Sequence, residues 1–113
     1  MNQTLSSNPN RHPLVSVIVP VYNAAKTLRV SLMSLFRQTM TDFEVIVVDD
    51  CSMDRSKEEI RKLFSSLIIP QIRCKLVEHS ENRGVATARN SGLDAATGKY
   101  IYYLDADDWI ESD

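Results

Sequence analysis

Two apolar stretches decide the fold: LVSVIV at residues 14–19 and FEVIVV at residues 43–48. Each is a short, nearly continuous run rich in β-branched residues, and each is followed directly by a proline or by acidic residues. This composition is typical of strands that are buried on both faces of a parallel sheet. An apolar stripe at helical spacing lies between the two stretches and predicts a helix over residues 27–39.

A second helix follows the second strand. Its start is expected near residues 54–56, where Ser56 and Glu59 have the spacing of a capping box. Pro70 is expected to break the helix, because proline lacks the N–H group that a helix interior needs. The helix therefore fills the connection between the second strand and the third.

The remaining sequence repeats this alternation. A third strand is predicted over residues 72–79, a helix of small residues over 85–96 with Gly98 as its C-terminal cap, and a fourth strand over 100–104. Single helices between strands require parallel pairing with right-handed crossovers. The predicted fold class is therefore α/β, a Rossmann-like open parallel sheet with helices on both faces.

Length and composition restrict the class of protein. The chain has 113 residues, with 13 lysines and arginines against 15 acidic residues and 43% hydrophobic residues. This balance argues against disorder, and the lack of a basic excess argues against a nucleic-acid partner. No stretch approaches the roughly 20 apolar residues that span a bilayer. Residues 1–13 form a polar tail without the apolar core of a secretory signal, so residues 14–113 are expected to form one domain.

Acidic residues are concentrated where the predicted strands end. Asp49 and Asp50 follow the second strand, and Asp105, Asp107 and Asp108 follow the fourth. Ligands of open parallel sheets bind at this carboxyl edge. Because crowded like charges are costly unless they are neutralised, the sequence predicts a divalent metal, a cationic ligand or raised pKa values there.

The D-x-D pair formed by Asp105 and Asp107 is the sharpest of these features. Carboxylates two residues apart at the end of a strand project to the same side. Such all-oxygen donors suit Mg²⁺ or Mn²⁺, and a cation of this kind can bind a diphosphate. A solvated acidic turn is the alternative interpretation of this pair. For Asp49 and Asp50 the alternative is an acidic cluster at the start of a helix.

Other polar residues near this edge also have two interpretations each. Tyr22 either stacks on a flat base or is an aromatic residue on the rim of the sheet edge. Arg89 either contacts a phosphate or a base edge or forms a surface salt bridge. His79, at the end of the third strand, is interpreted as structural rather than as a base or ligand. The sequence contains neither GxGxxG nor GxxxxGK[ST], so an ordinary dinucleotide or P-loop site is unsupported.

Five segments in fixed order carry a resemblance to a known family. They are VSVIVPVYN at 15–23, EVIVVDDCSMD at 44–54, NRG at 82–84, ARNSG at 88–92 and GKYIYYLDADD at 98–108. Together they resemble the inverting family 2 glycosyltransferases, and the resemblance covers about residues 14–113. It implies the N-terminal half of a GT-A fold that binds a nucleotide-diphosphate sugar, commonly a UDP-sugar, and transfers the sugar with inversion.

The resemblance implies a role for each matching residue. Asp49 would hydrogen-bond the base, commonly uracil, and Asp105 would meet the ribose. Asp107 would coordinate the Mg²⁺ or Mn²⁺ that bridges the diphosphate, and Asp108 is a further candidate. Cys51 stands where the family more often has glycine or an acidic residue. The nucleotide-sugar-binding residues implied in this way are Pro20, Tyr22, Asn23, Asp49, Asn82, Arg89 and Asp105.

The resemblance also implies that part of the enzyme lies beyond Asp113. The general base of the family is an acidic residue well downstream of the D-x-D motif, and it deprotonates the acceptor hydroxyl. The chain is therefore expected to be the nucleotide-sugar-binding part of the domain, truncated after this motif and inactive alone. Self-association through the open sheet is expected. The implied acceptor is a glycan or a lipid-linked molecule, and the implied location is cytoplasmic, with membrane association through the remaining parts.

Three alternatives remain open at this stage. A receiver-like, Mg²⁺-binding signalling domain fits the length of the chain. Such a domain would need its pair of acids after the first strand and a lysine after a fifth strand. A nucleotidyltransferase would need a Gly-rich basic loop after the first strand. A non-catalytic nucleotide-binding module differs from the glycosyltransferase only in lacking a general base.

Overall fold

The described part of the chain confirms the predicted alternation of strands and helices. A computed structural model describes residues 12–66 and 72–110, so most of the predicted tail and the break at Pro70 lie outside the described residues. The first helix begins two residues earlier than predicted and ends three residues earlier. The elements are β1 (Val15–Val21), α1 (Ala25–Phe36), β2 (Phe43–Asp49), α2 (Ser56–Ser66), β3 (Arg73–Glu78), α3 (Val85–Ala95) and β4 (Tyr100–Tyr103).

The four strands form one parallel sheet in the order β3-β2-β1-β4. In register, Val15 of β1 lies beside Phe43 of β2 on one side and Tyr100 of β4 on the other. The chain adds β2 and β3 outward from β1 and then returns to form β4 on the opposite side of β1. The strand order therefore reverses next to β1, which is where a crevice for ligands opens in sheets of this class.

Helices cover both faces of the sheet, as predicted. Alternate residues of β1 and β2 pack with Leu28 and Leu32 of α1 and Ile60 of α2 in the larger core cluster. The opposite face of β2 packs against Ala88 of α3 in a smaller cluster. Gly92 allows α3 to lie close to β1, because a Cβ atom at this position would come within 2.4 Å of a methyl group of Ile18.

A buried carboxylate joins three elements at the amino edge of the sheet. Glu44 of β2 is fully buried and accepts hydrogen bonds from the Ser16 hydroxyl at 2.6 Å and from the Thr97 backbone N–H at 2.7 Å. Lys75 of β3 lies 3.0 Å from its other oxygen. Burial alone raises the pKa of Glu44, but these hydrogen bonds and the Lys75 charge outweigh burial and lower the pKa below its usual value. This network is structural, because it lies at the edge opposite the predicted ligand crevice.

Two local predictions are wrong. The residue that caps the end of α3 is Ala96 rather than Gly98. Gly98 instead donates its N–H to the Ser16 hydroxyl at 2.8 Å, and a Cβ atom there would lie 2.6 Å from the Ser16 nitrogen. Close approach to β1, rather than helix capping, is therefore what requires glycine at this position.

The predicted capping box does not form either. Ser56 is the first residue of α2, and its hydroxyl accepts a hydrogen bond from the Ala24 N–H at 2.9 Å. Asp54 performs the capping, because its carboxylate accepts from the Ser56 N–H at 2.9 Å and from the Ala25 N–H at 3.2 Å. One aspartate thus serves the starts of both α1 and α2.

No helix within residues 12–66 and 72–110 has the length and apolar character needed to cross a membrane. The location and the self-association that the sequence suggested stay predictions.

Candidate nucleotide-sugar site

A cavity of about 360 Å³ opens at the carboxyl edge of the sheet. Three residues predicted to bind the nucleotide, Pro20, Tyr22 and Asn82, come together in its wall. Tyr22 is half exposed, so its ring is accessible to a planar ligand. The full lining consists of Pro20, Val21, Tyr22, Asp50, Asn82, Gly84, Val85 and Ala88.

Asp50 organises the loop that forms one wall of this cavity. It is 3% exposed, and its carboxylate accepts hydrogen bonds from the backbone N–H groups of Arg83 and Gly84, each at 2.8 Å. Burial alone raises the pKa of Asp50, but the hydrogen bonds from the His79 side chain and from these two N–H groups outweigh burial and lower the pKa below its usual value. The carboxylate is therefore ionised at neutral pH and acts only as an acceptor.

Gly84 is the residue before α3, and it has a φ of +93°. Residues that carry a Cβ atom rarely adopt this backbone conformation. This conformation turns its N–H group towards Asp50, so the glycine and the aspartate form one unit.

His79 links the Asp50 carboxylate to α3. Its Nδ1 lies 2.8 Å from the Asp50 Oδ1, and its Nε2 lies 2.7 Å from the Ser91 hydroxyl oxygen. The side chain of His79 is 8% exposed. The structural interpretation of His79 from the sequence agrees with this placement, but the sequence contained no sign of its two partners.

Asp49 lies outside the cavity wall. It is fully buried, its carboxylate accepts a hydrogen bond from the Ser52 N–H at 3.1 Å, and the Lys57 ammonium lies 4.0 Å away. Because it is the last residue of β2, its side chain and that of Asp50 leave the backbone on opposite sides. In this arrangement Asp50, rather than Asp49, presents a carboxylate to the cavity.

Asn23 also makes contacts that differ from its expected place in the nucleotide pocket. Its side-chain oxygen accepts a hydrogen bond from the Met53 N–H at 2.7 Å, and its own N–H donates to the Ser52 hydroxyl at 3.0 Å. With a φ of +50°, it makes the turn between β1 and α1. Asn23 thus joins the loops that follow β1 and β2, and it is not in the lining of the cavity.

Arg89 and Asp105 meet at the end of β4. The Arg89 guanidinium lies 3.3 Å from the Asp105 carboxylate and 5.5 Å from the centre of the Tyr103 ring. Both charged side chains remain substantially exposed, at 40% and 54%. The salt bridge is thus one of the two interpretations of Arg89 from the sequence, and the contact of Arg89 with a phosphate or base stays a prediction. Neither Arg89 nor Asp105 is in the lining of the cavity.

Two serines of α1 hold the acidic turn that follows β4. The Ser31 hydroxyl lies 2.7 Å from the Ala106 carbonyl oxygen and also contacts the Asp108 carbonyl oxygen. The Ser34 hydroxyl accepts a hydrogen bond from the Ile110 N–H at 3.1 Å. Both serines are buried. Ala106 is buried against this helix, which leaves the D-x-D side chains on either side of it facing solvent.

The acidic turn has the donor set that a hard cation prefers. Asp105, Asp107 and Asp108 are all exposed and offer only oxygen ligands. Among the residues that the structure describes, no three His, Cys, Asp or Glu side chains form a ready-made metal cluster. Mg²⁺ is commonly held by one or two carboxylates together with substrate phosphates and water, so the turn fits a cation that binds with a diphosphate.

The family is shown by a match over nearly the whole chain. Residues 16–113 match the sequence pattern of Glycosyl transferase family 2. The chain belongs to this family. The resemblance found in the five sequence segments is therefore confirmed.

A curated family 2 relative shows how much of such proteins the chain spans. Glycosyltransferase GlyA of Streptococcus pneumoniae serotype 4 is 44% identical over 99 residues, which are 88% of this chain and 14% of GlyA. The chain spans less than half the length of the curated relatives it matches.

Solved structures of glycosyltransferases share the fold. TarS 1-349 of S. aureus in complex with UDP-GlcNAc superimposes with a TM-score of 0.78 and 36% identity, over 87% of this chain and 28% of that one. The mannosyltransferase PcManGT from Pyrobaculum calidifontis, in complex with GDP-Man and Mn²⁺, has a TM-score of 0.79 and 36% identity, over 89% of this chain and 29% of that one. The sheet described above is thus that of a GT-A glycosyltransferase.

Sequence reasoning missed several residues of this family 2 site, and it named His79 without its contacts to Asp50 and Ser91. Ser31 and Ser34 lie on the buried side of α1, and polar residues among the apolar positions of a helix were the available signal. Ser91 and His79 had no such signal, because their contact joins α3 to the end of β3 across the fold. Asp50 was recognised as an edge acid, but the choice between it and Asp49 required knowledge of which one faces the cavity.

Proposed function

We propose that the protein binds a nucleotide-diphosphate sugar at this edge, together with Mg²⁺ or Mn²⁺, and serves inverting sugar transfer to a glycan or lipid-linked acceptor. The observation that carries the proposal is the cavity beside β1, whose lining includes Tyr22, Asp50 and Asn82. The Arg89–Asp105 salt bridge lies at the end of β4, the strand on the other side of β1 from β2. The UDP-GlcNAc complex of TarS and the GDP-Man and Mn²⁺ complex of PcManGT support it.

In this proposal the base of the nucleotide occupies the cavity. The Tyr22 ring stacks on the base, and stacking of this kind contributes about 1–3 kcal/mol per base. We assign to Asp50 the base contact that the sequence suggested for Asp49, because the Asp49 carboxylate is fully buried outside the cavity. An ionised carboxylate can accept the ring N–H of uracil or guanine, whereas cytosine and adenine present an acceptor at the equivalent ring nitrogen.

The residues at the end of β4 bind the rest of the donor in this proposal. Arg89 and Asp105 form a salt bridge at the end of β4. We assign to Arg89 a part in binding the nucleotide and to Asp105 the contact with the ribose. Asp107 would hold the divalent cation, which supplies charge neutralisation for the departing diphosphate. We propose no general base among the described acids, because Asp49 and Asp50 are buried acceptors and Asp105 is ion-paired with Arg89.

Calorimetric titration with UDP, UDP-GlcNAc and GDP-Man in the presence of Mn²⁺ tests the proposal. We expect at least one of these ligands to bind, and we expect Tyr22→Ala to weaken that binding about tenfold through the loss of stacking. Tyr100→Ala is the matched control, because Tyr100 is equally exposed but lies at the amino end of β4. A folded protein that binds none of these ligands would contradict the proposal.

A further inference from the structure

The two oxygens of the Asp50 carboxylate have unequal surroundings. Oδ1 receives two hydrogen bonds, one from the His79 ring and one from the Arg83 N–H, each at 2.8 Å. Oδ2 receives one, from the Gly84 N–H at 2.8 Å. A carboxylate oxygen accepts about two hydrogen bonds, so Oδ1 is saturated and Oδ2 keeps a free acceptor position. Asp50 lines the cavity, and Oδ2 is the oxygen available to a ligand there.

The His79 ring is itself fixed at both nitrogens. When Nδ1 donates its proton to the ionised carboxylate, the neutral ring has an acceptor at Nε2, and the Ser91 hydroxyl can donate to it across 2.7 Å. The His79 backbone N–H also donates to the Asp49 carbonyl oxygen at 2.9 Å, which fixes the end of β3 beside the end of β2. The ring is therefore held in one orientation by contacts at both of its nitrogens.

We propose that His79 is a positioning residue that turns the Asp50 carboxylate so that Oδ2 faces the base of the bound nucleotide. This inference rests on the proposed function, because it concerns how the same cavity selects its base. Because His79 holds Oδ1, the carboxylate cannot rotate. The saturated Oδ1 therefore does not face the ligand in place of Oδ2. Ser91 acts one step further away, since it holds the ring that holds the carboxylate.

The order carboxylate, imidazole and hydroxyl also occurs in hydrolases with a nucleophilic serine. The position of Ser91 argues against that chemistry here. Ser91 lies in the interior of α3, between Val85 and Ala95, where the backbone N–H groups are used within the helix. The helix around Ser91, which lies wholly within the described part of the chain, then offers no pair of free N–H groups to stabilise an oxyanion. The chain of contacts therefore positions Asp50 and does not activate Ser91.

Two substitutions at His79 separate a positioning role from a purely structural one. In His79→Asn the side-chain amide can replace Nδ1 and keep the bond to Asp50. In His79→Gln the amide reaches the position of Nε2, so the Ser91 contact can remain while the Asp50 bond is lost. The readout is the ratio of the affinities for UDP and CDP, or for GDP and ADP, measured by calorimetry with Mn²⁺.

We expect His79→Gln to reduce the selectivity for UDP or GDP about tenfold, since one hydrogen bond to a charged group is misaligned. His79→Asn is expected to retain the wild-type ratio within about twofold by the same reasoning. His12→Gln is the matched control, because His12 is exposed at the opposite edge of the sheet. It should leave all affinities unchanged.

Thermal unfolding of each variant shows whether it is folded. If His79→Gln fails to fold, Ser91→Ala replaces it, and a fall in the selectivity ratio of about threefold is expected because the ring loses its second anchor. Unchanged selectivity in the folded variants, or an equal loss of affinity for all four nucleotides, would overturn this inference and leave the proposed function standing. A folded wild-type protein that binds neither UDP nor GDP would overturn the proposed function as well.

Discussion

The acids that follow β2 and those that follow β4 lie at the same edge of one sheet but in opposite surroundings. Asp49 and Asp50 are at most 3% exposed, and both accept hydrogen bonds from backbone N–H groups. Asp105 is 54% exposed, and within residues 12–66 and 72–110 the Asp107 side chain makes no hydrogen bond or ion pair. Residue type and strand position were alike in the sequence, so the difference comes from the packing around each strand.

The position of each strand in the sheet explains this difference. β2 lies between β1 and β3, with helices on both of its faces, and all seven of its residues are buried. β4 pairs only with β1 among the described strands, and all four of its residues are exposed. The buried acids are surrounded by protein donors: both oxygens of Asp50 and the Oδ2 of Asp49 accept hydrogen bonds, whereas the buried Oδ1 of Asp49 has no partner among the described residues. Acids at the end of an open strand stay hydrated and available to a cation.

The largest expected effect is on stability, at the buried acid. Asp50→Ala removes the acceptor of three hydrogen bonds, so the N–H groups of Arg83 and Gly84 and the Nδ1 atom of His79 lose this partner. We expect it to lower the free energy of unfolding by about 3 kcal/mol. Urea unfolding followed by circular dichroism measures this change.

Asp107→Ala is the matched control for that measurement. It removes an exposed carboxylate from the same edge, and we expect its stability to remain within about 0.5 kcal/mol of the wild type. Equal destabilisation by Asp50→Ala and Asp107→Ala would show that the two groups of acids do not differ in the way described.

The second largest effect is expected on metal-dependent nucleotide binding, at the exposed Asp107. We expect Asp107→Ala to weaken UDP binding about tenfold in the presence of Mn²⁺, because one charge-assisted contact is lost. Removal of Mn²⁺ with EDTA should weaken the wild type to a similar degree and should have little further effect on the variant. If EDTA weakens the variant as strongly as the wild type, Asp107 is not the residue that holds the cation.

The smallest effect is expected at the helix that supports the exposed acids. Ser31→Ala leaves the buried Ala106 carbonyl oxygen without the Ser31 hydroxyl, so the acidic turn should loosen. We expect a loss of about 1 kcal/mol in unfolding free energy and about a threefold higher Mn²⁺ concentration for half-maximal UDP binding.

Ser66→Ala provides the comparison for Ser31→Ala. Among the described residues, the Ser66 hydroxyl bonds to the Leu63 carbonyl oxygen within its own helix, at 3.1 Å, and to no other group. Its removal should leave the Mn²⁺ requirement unchanged. The same Mn²⁺ requirement in both variants would indicate that α1 does not position the turn.

Much of the fold could be predicted from the pattern of apolar residues. The runs around Val17 and Val45 and the stripe through Leu28 and Leu32 indicated buried strands and a covering helix, because their periodicity follows directly from backbone geometry. The roles of Gly98 and Ser56 could not be predicted in this way. Their partners, Ser16 and Ala24, are distant in the sequence, and only the packing of the chain brings them together.

The sequence by itself determined the order of the elements, the membership in family 2 and the gathering of acids at one edge. These follow from local periodicity and from motifs in fixed order. Only the tertiary structure decided that Asp50 rather than Asp49 faces the cavity, and that His79 and Ser31 support the two groups of acids. The physical reason is that burial and hydrogen bonding depend on neighbours far apart in the chain, such as Asp50 and Gly84, which are 34 positions apart.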